Sequence, residues 1–290
     1  MGWRTVIISG RAKLDLKLNN LVIRKDEISK VHISEISILI IDSVNISITT
    51  ALIEKLIEEK IKIIFCGSDH NPVGEVVNYY NKHNSAKMVR KQINWTEINK
   101  QKVWSEIIKE KIRRQSEILY YLGVDSSEML NQYMEDIKLG DSTNREGHAA
   151  KVYFYSLFGK SFSRGADDPI NAMLNFGYSI LLSIFTREIT SSGYITQIGI
   201  FHDNQFNYFN LASDLMEPLR PMIDNVVIEI NPTEFGREEK NHLFKLFEKE
   251  YEVDGRKYTL LNAVSVYCRS IFEALEKGNI NLIKLINYEL

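Results

Sequence analysis

The hydrophobic period of this chain changes part-way along, and that change limits its folds more than any other feature. Through residue 78 the apolar residues come in short runs rich in Val, Ile and Leu: Thr5 to Ser9, Lys13 to Leu18, Leu21 to Ile23, Val31 to Ile33 and Ile38 to Ile41. Turn residues such as Asn19-Asn20 separate them, as between strands. One helical interruption spans Thr49 to Lys60, where Leu52, Ile53, Leu56 and Ile57 recur at helical spacing opposite Glu54, Lys55, Glu58 and Glu59. Ile61 to Cys66 then reads as a buried strand closed by a turn at Gly67-Ser68-Asp69.

Residues 79–95 carry weak periodicity and many polar side chains, and the domain junction is placed there as a linker. Beyond it the period is helical. Val103, Trp104, Ile107, Ile108, Ile112 and Leu119 form one apolar stripe. Further helices are expected over 128–138, 146–158, 170–190, 212–229, 238–250 and 260–286. The fold class is therefore α+β: a β-rich, β-sandwich-like domain over 1–78, then a larger all-α domain over 96–290.

Gly and Pro number only 15 and 5, which disfavours long disordered stretches. No run approaches the length of a membrane span, and the opening residues lack the apolar core of a signal peptide, so a cytoplasmic protein with no membrane partner is expected. Cys66 and Cys268 are isolated in apolar surroundings and read as reduced core thiols. The net charge is −2, which alone argues against a polyanion partner. Its distribution argues the other way. Ten Lys or Arg against three acids fall between Lys82 and Arg114. Such a segment can follow a phosphate backbone, or be a solvated helix face.

Three stretches can carry chemistry. Asn144-Arg145-Glu146-Gly147-His148 opens a helix, and Glu146 can ligate a cation; Thr143-x-x-Glu146 equally matches a capping box. His202 ends the apolar run Gly199-Ile200-Phe201, as a ligand or as a structural hydrogen-bonder. Asp214 and Glu217 lie three apart, with Arg220 one turn further on; they suit a divalent cation or an exposed acidic face with an Arg partner. Pro218 would kink the helix unless it sits in a first turn. No HExxH, GxSxG, P-loop or GxGxxG is present, which removes the usual support for zinc protease, serine hydrolase, kinase and dinucleotide readings.

Taken in order, Gly2-Trp3-Arg4-Thr5, Val31 to Ile36, Phe65-Cys66, Asn144 to Ala150, Asp168 to Ala172, Gln205-Phe206-Asn207 and Ser213 to Pro221 resemble the CRISPR adaptation integrases, the Cas-one family, most closely its type II branch. The resemblance covers essentially the whole chain. It implies a metal-dependent DNA endonuclease and integrase, with Glu146, His202 and Glu217 as catalytic metal ligands for Mg²⁺ or Mn²⁺ and Asp214 as a further acid beside them. Many members carry Asp where Glu217 stands. It also implies spacer acquisition by 3′-hydroxyl attack on a phosphodiester. The partners implied are double-stranded DNA (a captured fragment and the CRISPR repeat), a second copy joined through the β-rich domain, a second adaptation protein (Cas-two), the type II effector nuclease and an accessory adaptation protein. Arg145, Arg164, Arg220, Lys87, Arg90, Lys91, Arg113 and Arg114 are the basic residues placed to touch DNA, and Trp95, Trp104 or the tyrosines could stack on splayed bases. Two other readings share these residues: a nuclease acting on branched DNA, and a non-catalytic DNA-binding scaffold.

Overall fold

A computed structural model of the chain describes residues 4–68, 72–76 and 84–289. The chain divides into two compact units, one formed by residues 1–80 with 244–249, the other by 81–243 with 250–290.

The first unit holds two four-stranded sheets. Its strands are β1 (Arg4–Ser9), β2 (Ala12–Lys17), β3 (Asn20–Arg24), β4 (Ile28–His32), β5 (Ile36–Asp42), β6 (Ile46–Ile48), β7 (Lys62–Cys66) and β8 (Pro72–Glu75), and the helix α1 (Thr50–Glu58) lies between β6 and β7. One sheet has the order β1-β5-β7-β8, with β1, β5 and β7 parallel and β8 antiparallel. The other has the order β4-β3-β2-β6, a meander with β6 added in parallel. Leu14 and Leu21 from one sheet pack with Ile8, Leu39 and Ile63 from the other and with Leu52 and Leu56 of α1. Every residue of β5 is buried, which explains why it reads as an unbroken apolar run rather than an alternating one. β6 and β8, three and four residues long, are too short to show a period and are not visible in the sequence reading.

The second unit is built on α2 (Ser85–Ile93), α3 (Glu97–Tyr121), α4 (Ser126–Glu135), α5 (Arg145–Phe158), α6 (Pro169–Ser191), α7 (Asn210–Met216), α8 (Arg220–Ile230), α9 (Arg237–Glu248, shared with the first unit) and α10 (Leu260–Lys277), with a hairpin of β9 (Glu250–Val253) and β10 (Arg256–Thr259). Thr96 caps α3 by accepting from Asn99 N–H, and Asp168 caps α6 ahead of Pro169 at its first position. α6 has the length and hydropathy of a membrane span, yet 67% of its apolar window is buried inside the protein, as in a core helix. Cys66 and Cys268 are both buried.

Four expectations are corrected. Residues 79–83 of the expected linker lie outside the described residues, but 85–93 form α2, which belongs to the helical unit. Gln92 is buried there because its amide is satisfied: Nε2 donates to the Ile195 and Ile198 carbonyls, each at 2.8 Å, and Oε1 accepts from Ile195 N–H at 3.0 Å. The helix expected over 212–229 breaks at a 3₁₀ turn, Glu217–Leu219, because Pro218 cannot donate to the helical ladder. The expected helix 238–250 gives way to the hairpin at Asp254-Gly255, both with positive φ (54° and 72°). The last helix stops at Gly278, which takes a left-handed φ of 67°.

Candidate active site

α3 is the spine of the site. Lys111 falls four residues after Ile107 and three after Ile108, and so on the apolar stripe, where the residue is only 7% exposed. Burying such a charge is costly unless acids meet it. Two do. Lys111 Nζ lies 2.6 Å from Glu146 Oε1 and 2.5 Å from Glu217 Oε2. The fold thus brings two of the three expected ligands, 71 positions apart, onto one nitrogen.

Glu146 reaches Lys111 because its own helix does not need it. α5 begins at Asn144, which has a left-handed φ of 52° and accepts from Gly147 N–H at 3.3 Å. Gly147 permits this turn, since a Cβ there would lie 2.8 Å from Asn144 Oδ1. The buried Asp141 carboxylate takes the next two orphan donors, Arg145 N–H at 2.7 Å and Glu146 N–H at 2.9 Å. The capping box read from Thr143 is therefore not used, and the Glu146 side chain is free to leave its helix.

Glu217 stands at the break between α7 and α8, buried at 2% exposure. Arg220 Nε lies 3.0 Å from its Oε1. The Lys111 ammonium reaches Oε2 closely, though without the alignment of a good hydrogen bond. Burial pushes the Glu217 carboxyl up, while Arg220, Lys111 and His202 more than offset it, so the group sits below its ordinary value. Arg220 rests its guanidinium 4.8 Å from the Tyr178 ring centre, and the Tyr178 hydroxyl donates to Asp224 of α8. Asp224 is buried at 1% exposure, and that burial, opposed by Tyr178, raises its carboxyl to about 6.

His202 is held by a loop folded around Asp214. Asp214 is fully buried and accepts four hydrogen bonds: from the N–H groups of Ile200 (2.6 Å), Phe201 (3.0 Å) and His202 (3.1 Å), and from His202 Nδ1–H at 2.5 Å. A carboxylate only accepts, so Nδ1 carries a proton, and in the neutral imidazole the lone pair is on Nε2. The Asp214 hydrogen bond raises the imidazole pKa above its ordinary value; burial opposes it, and the charges of Asp214, Glu217 and Glu146 add to the rise. Gly199 makes the fold-back possible, because a Cβ would lie 2.4 Å from His202 O and 2.6 Å from Asp214 Oδ2. His202 also meets Trp104 and Phe201 edge-on, and those two rings stack 4.4 Å apart. His202 and Glu146 side chains are 39% and 22% exposed against 3% for Glu217, so the cluster opens to solvent on the histidine side.

Among the described residues no three His, Cys, Asp or Glu side chains close into a ready cation cage. Lys111 stands between the two carboxylates instead. The donor set still suits a hard divalent cation with some affinity for nitrogen: two carboxylates, one imidazole with a free lone pair, and one buried oxygen without an aligned donor. Asp214 is committed to the histidine loop and is not among those free to ligate.

The basic residues divide sharply. Lys87 and Arg90 are exposed on α2, while Lys91 pairs with Glu276 at 2.6 Å. Arg113 binds Glu110 at 2.6 Å and also Glu117. Arg114 is buried; it binds Glu110 and donates to the Tyr288 and Ile286 carbonyls at 3.2 Å each, so it fastens the C-terminal segment and is not a free phosphate contact. Arg145 lies over the Tyr133 ring near Asp136. Arg164 donates to Asn171 and Asn175 and faces Tyr178 from 5.5 Å. Trp95 and Trp104 are both core residues, Trp95 packing on Tyr194 and Phe272, so neither presents a free face for stacking. Lys82 lies outside the described residues. The sequence reading missed Lys111, Asp141, Tyr178, Gly199 and Asp224. A lysine on the apolar stripe of α3, and an aspartate two turns after Glu217, were the available signals.

The family model described as CRISPR associated protein Cas1 matches residues 5–242. The chain belongs to the Cas1 family. A CRISPR-associated endonuclease Cas1 of Neisseria meningitidis serogroup C (strain 8013) is 31% identical over 98% of this chain and 96% of its own length. One from Francisella tularensis subsp. novicida (strain U112) is 28% identical over 75% of each. Among solved structures, a casposase bound to integration product superposes with a TM-score of 0.78 at 17% identity, over 95% of this chain and 91% of that one. A Cas1 protein from Thermotoga maritima gives 0.77 at 15% identity, over 99% and 100%. At these identities the structures establish a shared fold. The β-rich unit followed by a helical one agrees with that fold.

Proposed function

We propose that this Cas1 family member is a metal-dependent DNA integrase and endonuclease of spacer acquisition. The observation that carries the reading is the meeting of Glu146 and Glu217 on one buried cation, Lys111, beside a histidine whose free nitrogen is set by Asp214. Mg²⁺ or Mn²⁺ would be held by Glu146, His202 and Glu217. When bound, such an ion polarises a phosphodiester oxygen and favours the alkoxide of an attacking hydroxyl.

The chain's own residues supply the rest. Arg220 and Lys111 keep Glu217 ionised, so it arrives as a ligand already without its proton. Asp214 fixes the imidazole tautomer, which leaves Nε2 as the ligating atom. Arg220 and Lys111 also place positive charge where a phosphate accumulates negative charge. The reaction is a 3′-hydroxyl attacking a repeat phosphodiester: one P–O bond forms as another breaks, which needs no nucleotide triphosphate. Water in place of the hydroxyl gives cleavage at the same site. The relatives' name, endonuclease, favours that hydrolytic reading as the second activity, for which branched DNA is the proposed substrate.

The partners follow the same reading: double-stranded DNA, a second copy through the β-rich unit, and a Cas2-type adaptation protein. Part of one chain in a solved Cas6-RT-Cas1–Cas2 complex shares this fold, with a TM-score of 0.75 at 20% identity over 97% of this chain and 36% of that one. A type II effector nuclease and an accessory adaptation protein complete the proposed assembly. The test is a strand-transfer gel with a 3′-hydroxyl DNA fragment, a repeat target, and either Mn²⁺ or EDTA. Joined product with Mn²⁺ alone, lost in Glu146→Ala, His202→Ala and Glu217→Ala, supports the proposal. Joining by His202→Ala at the unaltered rate would sink it, and salt-dependent DNA binding with no metal-dependent product would make the chain a scaffold.

A further inference from the structure

Glu217 sits at a break where the helix is short of its own bonds. Positions 218 and 221 are both proline, so the carbonyls of Asp214 and Glu217 have no N–H four residues on to accept from. Glu217 O takes the Arg220 N–H instead, in a tighter 3₁₀ turn. The Glu217 side chain must nevertheless point to one place, where Lys111 and Arg220 meet it. Such a turn keeps a single direction only if something outside the helix fixes it.

That contact comes from the segment after α10. Tyr288 Oη donates to Pro218 O at 3.0 Å, and the tyrosine is only 8% exposed. Burial pushes its phenol well above the ordinary value, so the hydroxyl keeps the proton it donates. A buried tyrosine hydroxyl needs some acceptor; here the acceptor belongs to the residue next to Glu217. Arg114 lies 4.2 Å from the Tyr288 ring centre and, besides its bonds to the Ile286 and Tyr288 carbonyls, donates to Asn287 Oδ1 at 3.1 Å. Arg114 follows Lys111 by three positions on α3. One buried stretch of helix therefore supports Glu217 twice, directly through Lys111 and indirectly through Tyr288.

The segment is tied along its length. Lys284 N–H donates to Ser270 Oγ at 2.9 Å, and Asn287 exchanges two backbone hydrogen bonds with Glu252 of β9, at 2.8 and 3.1 Å. Ile286 is buried. These anchors set where the tyrosine stands in the protein by itself, as a supporting contact requires.

We propose that Tyr288 is a positioning residue for Glu217: its hydroxyl fixes the Pro218 turn and so the aim of that carboxylate into the proposed cation site. This rests on the proposed function, and it extends the site to a residue 71 positions beyond its last expected ligand. Tyr288 takes no part in bond making.

The experiment uses the full chain and Tyr288→Phe, which keeps the ring and loses only the hydroxyl. Two measurements are made without DNA. Hydrogen exchange over residues 211–223 of metal-free protein reads the turn, and calorimetric titration with Mn²⁺ reads the site. The expected result is faster exchange in that stretch, unchanged exchange elsewhere, and Mn²⁺ affinity lower by about tenfold. Lys284→Ala, which removes the exposed pair with Asp254 on the same segment, should leave both readouts as they are. Unchanged exchange in Tyr288→Phe would overturn the proposal. Faster exchange with full Mn²⁺ affinity would do so too, leaving Tyr288 a packing residue, as would a Lys284→Ala protein that matched Tyr288→Phe in both readouts. If the unaltered protein takes up no Mn²⁺, the metal reading fails; faster exchange in Tyr288→Phe then still supports Tyr288 as the residue that sets the Glu217 turn, and unchanged exchange removes it.

Discussion

Asp214 Oδ1 lies 2.5 Å from His202 Nδ1, and the same carboxylate holds the backbone of residues 200–202. One fully buried acid therefore sets both the tautomer of the imidazole and the path of the loop that presents it. Orienting partners of this kind tune ligands they never replace. Asp214→Asn would keep the shape but turn one accepting oxygen into a donor facing N–H groups. Mn²⁺ affinity, followed by calorimetry, is expected to fall by about tenfold to a hundredfold, with a lower midpoint of thermal unfolding. Unchanged Mn²⁺ affinity would show that the pair serves stability alone.

On the proposed function, Lys111 and a divalent cation would compete for the same two carboxylates. In Lys111→Met the metal-free protein keeps two acids near one another with less positive charge to meet them. Breaking a buried pair on one side costs about 3–5 kcal/mol, so the metal-free variant is expected to melt well below the unaltered protein. Added Mn²⁺ should then raise its melting temperature by more than it raises that of the unaltered protein. Equal shifts in both would mean that Lys111 does not occupy the cation's place.

Asp224 gives a pH signature. Its folded carboxyl is raised to about 6 against an ordinary value of 3.8. Below the unfolded value both states carry the proton; as pH rises through the folded value the folded state has to release it at a cost. The stability contribution is thus complete at low pH and lost by the time pH passes 6, on the order of 3 kcal/mol in all. Urea unfolding of metal-free protein from pH 4 to 7 is expected to show this decline relative to Asp224→Asn, which does not titrate. Parallel curves would contradict it.

The basic segment should split into two classes. Arg114→Ala removes the tie to the Ile286 and Tyr288 carbonyls and is expected to lower stability by about 2–4 kcal/mol. Lys87→Ala and Arg90→Ala, both exposed, should leave unfolding unchanged and each reduce the salt slope of DNA binding by about one. A full salt slope in the double variant would remove α2 from the DNA surface.

The change of period was enough to reveal both units, because strands and helices bury their faces at different spacings. The interior of the site was harder to read. Lys111 looked like one more cation in a basic run, although its spacing from Ile107 and Ile108 put it among buried side chains. Its meaning needed Glu146 and Glu217, which long-range folding supplies. The Asp254-Gly255 turn was legible between the alternating Tyr251, Val253 and Tyr258, but the helical pattern just before it masked the change. The break at Pro218 was foreseeable, whereas the direction it gives Glu217 was not.

The helix start at Asn144 has a wider consequence. Because Asp141 and Asn144 satisfy its orphan donors, position 146 can lose its acid without undoing the helix start, at the cost of one of the two acids that meet Lys111. Position 217 has no such freedom, since Arg220 and Lys111 both lean on it from within the core. A descendant kept only for its role in an assembly would be expected to discard Glu146 early and retain Glu217 long after catalysis had gone.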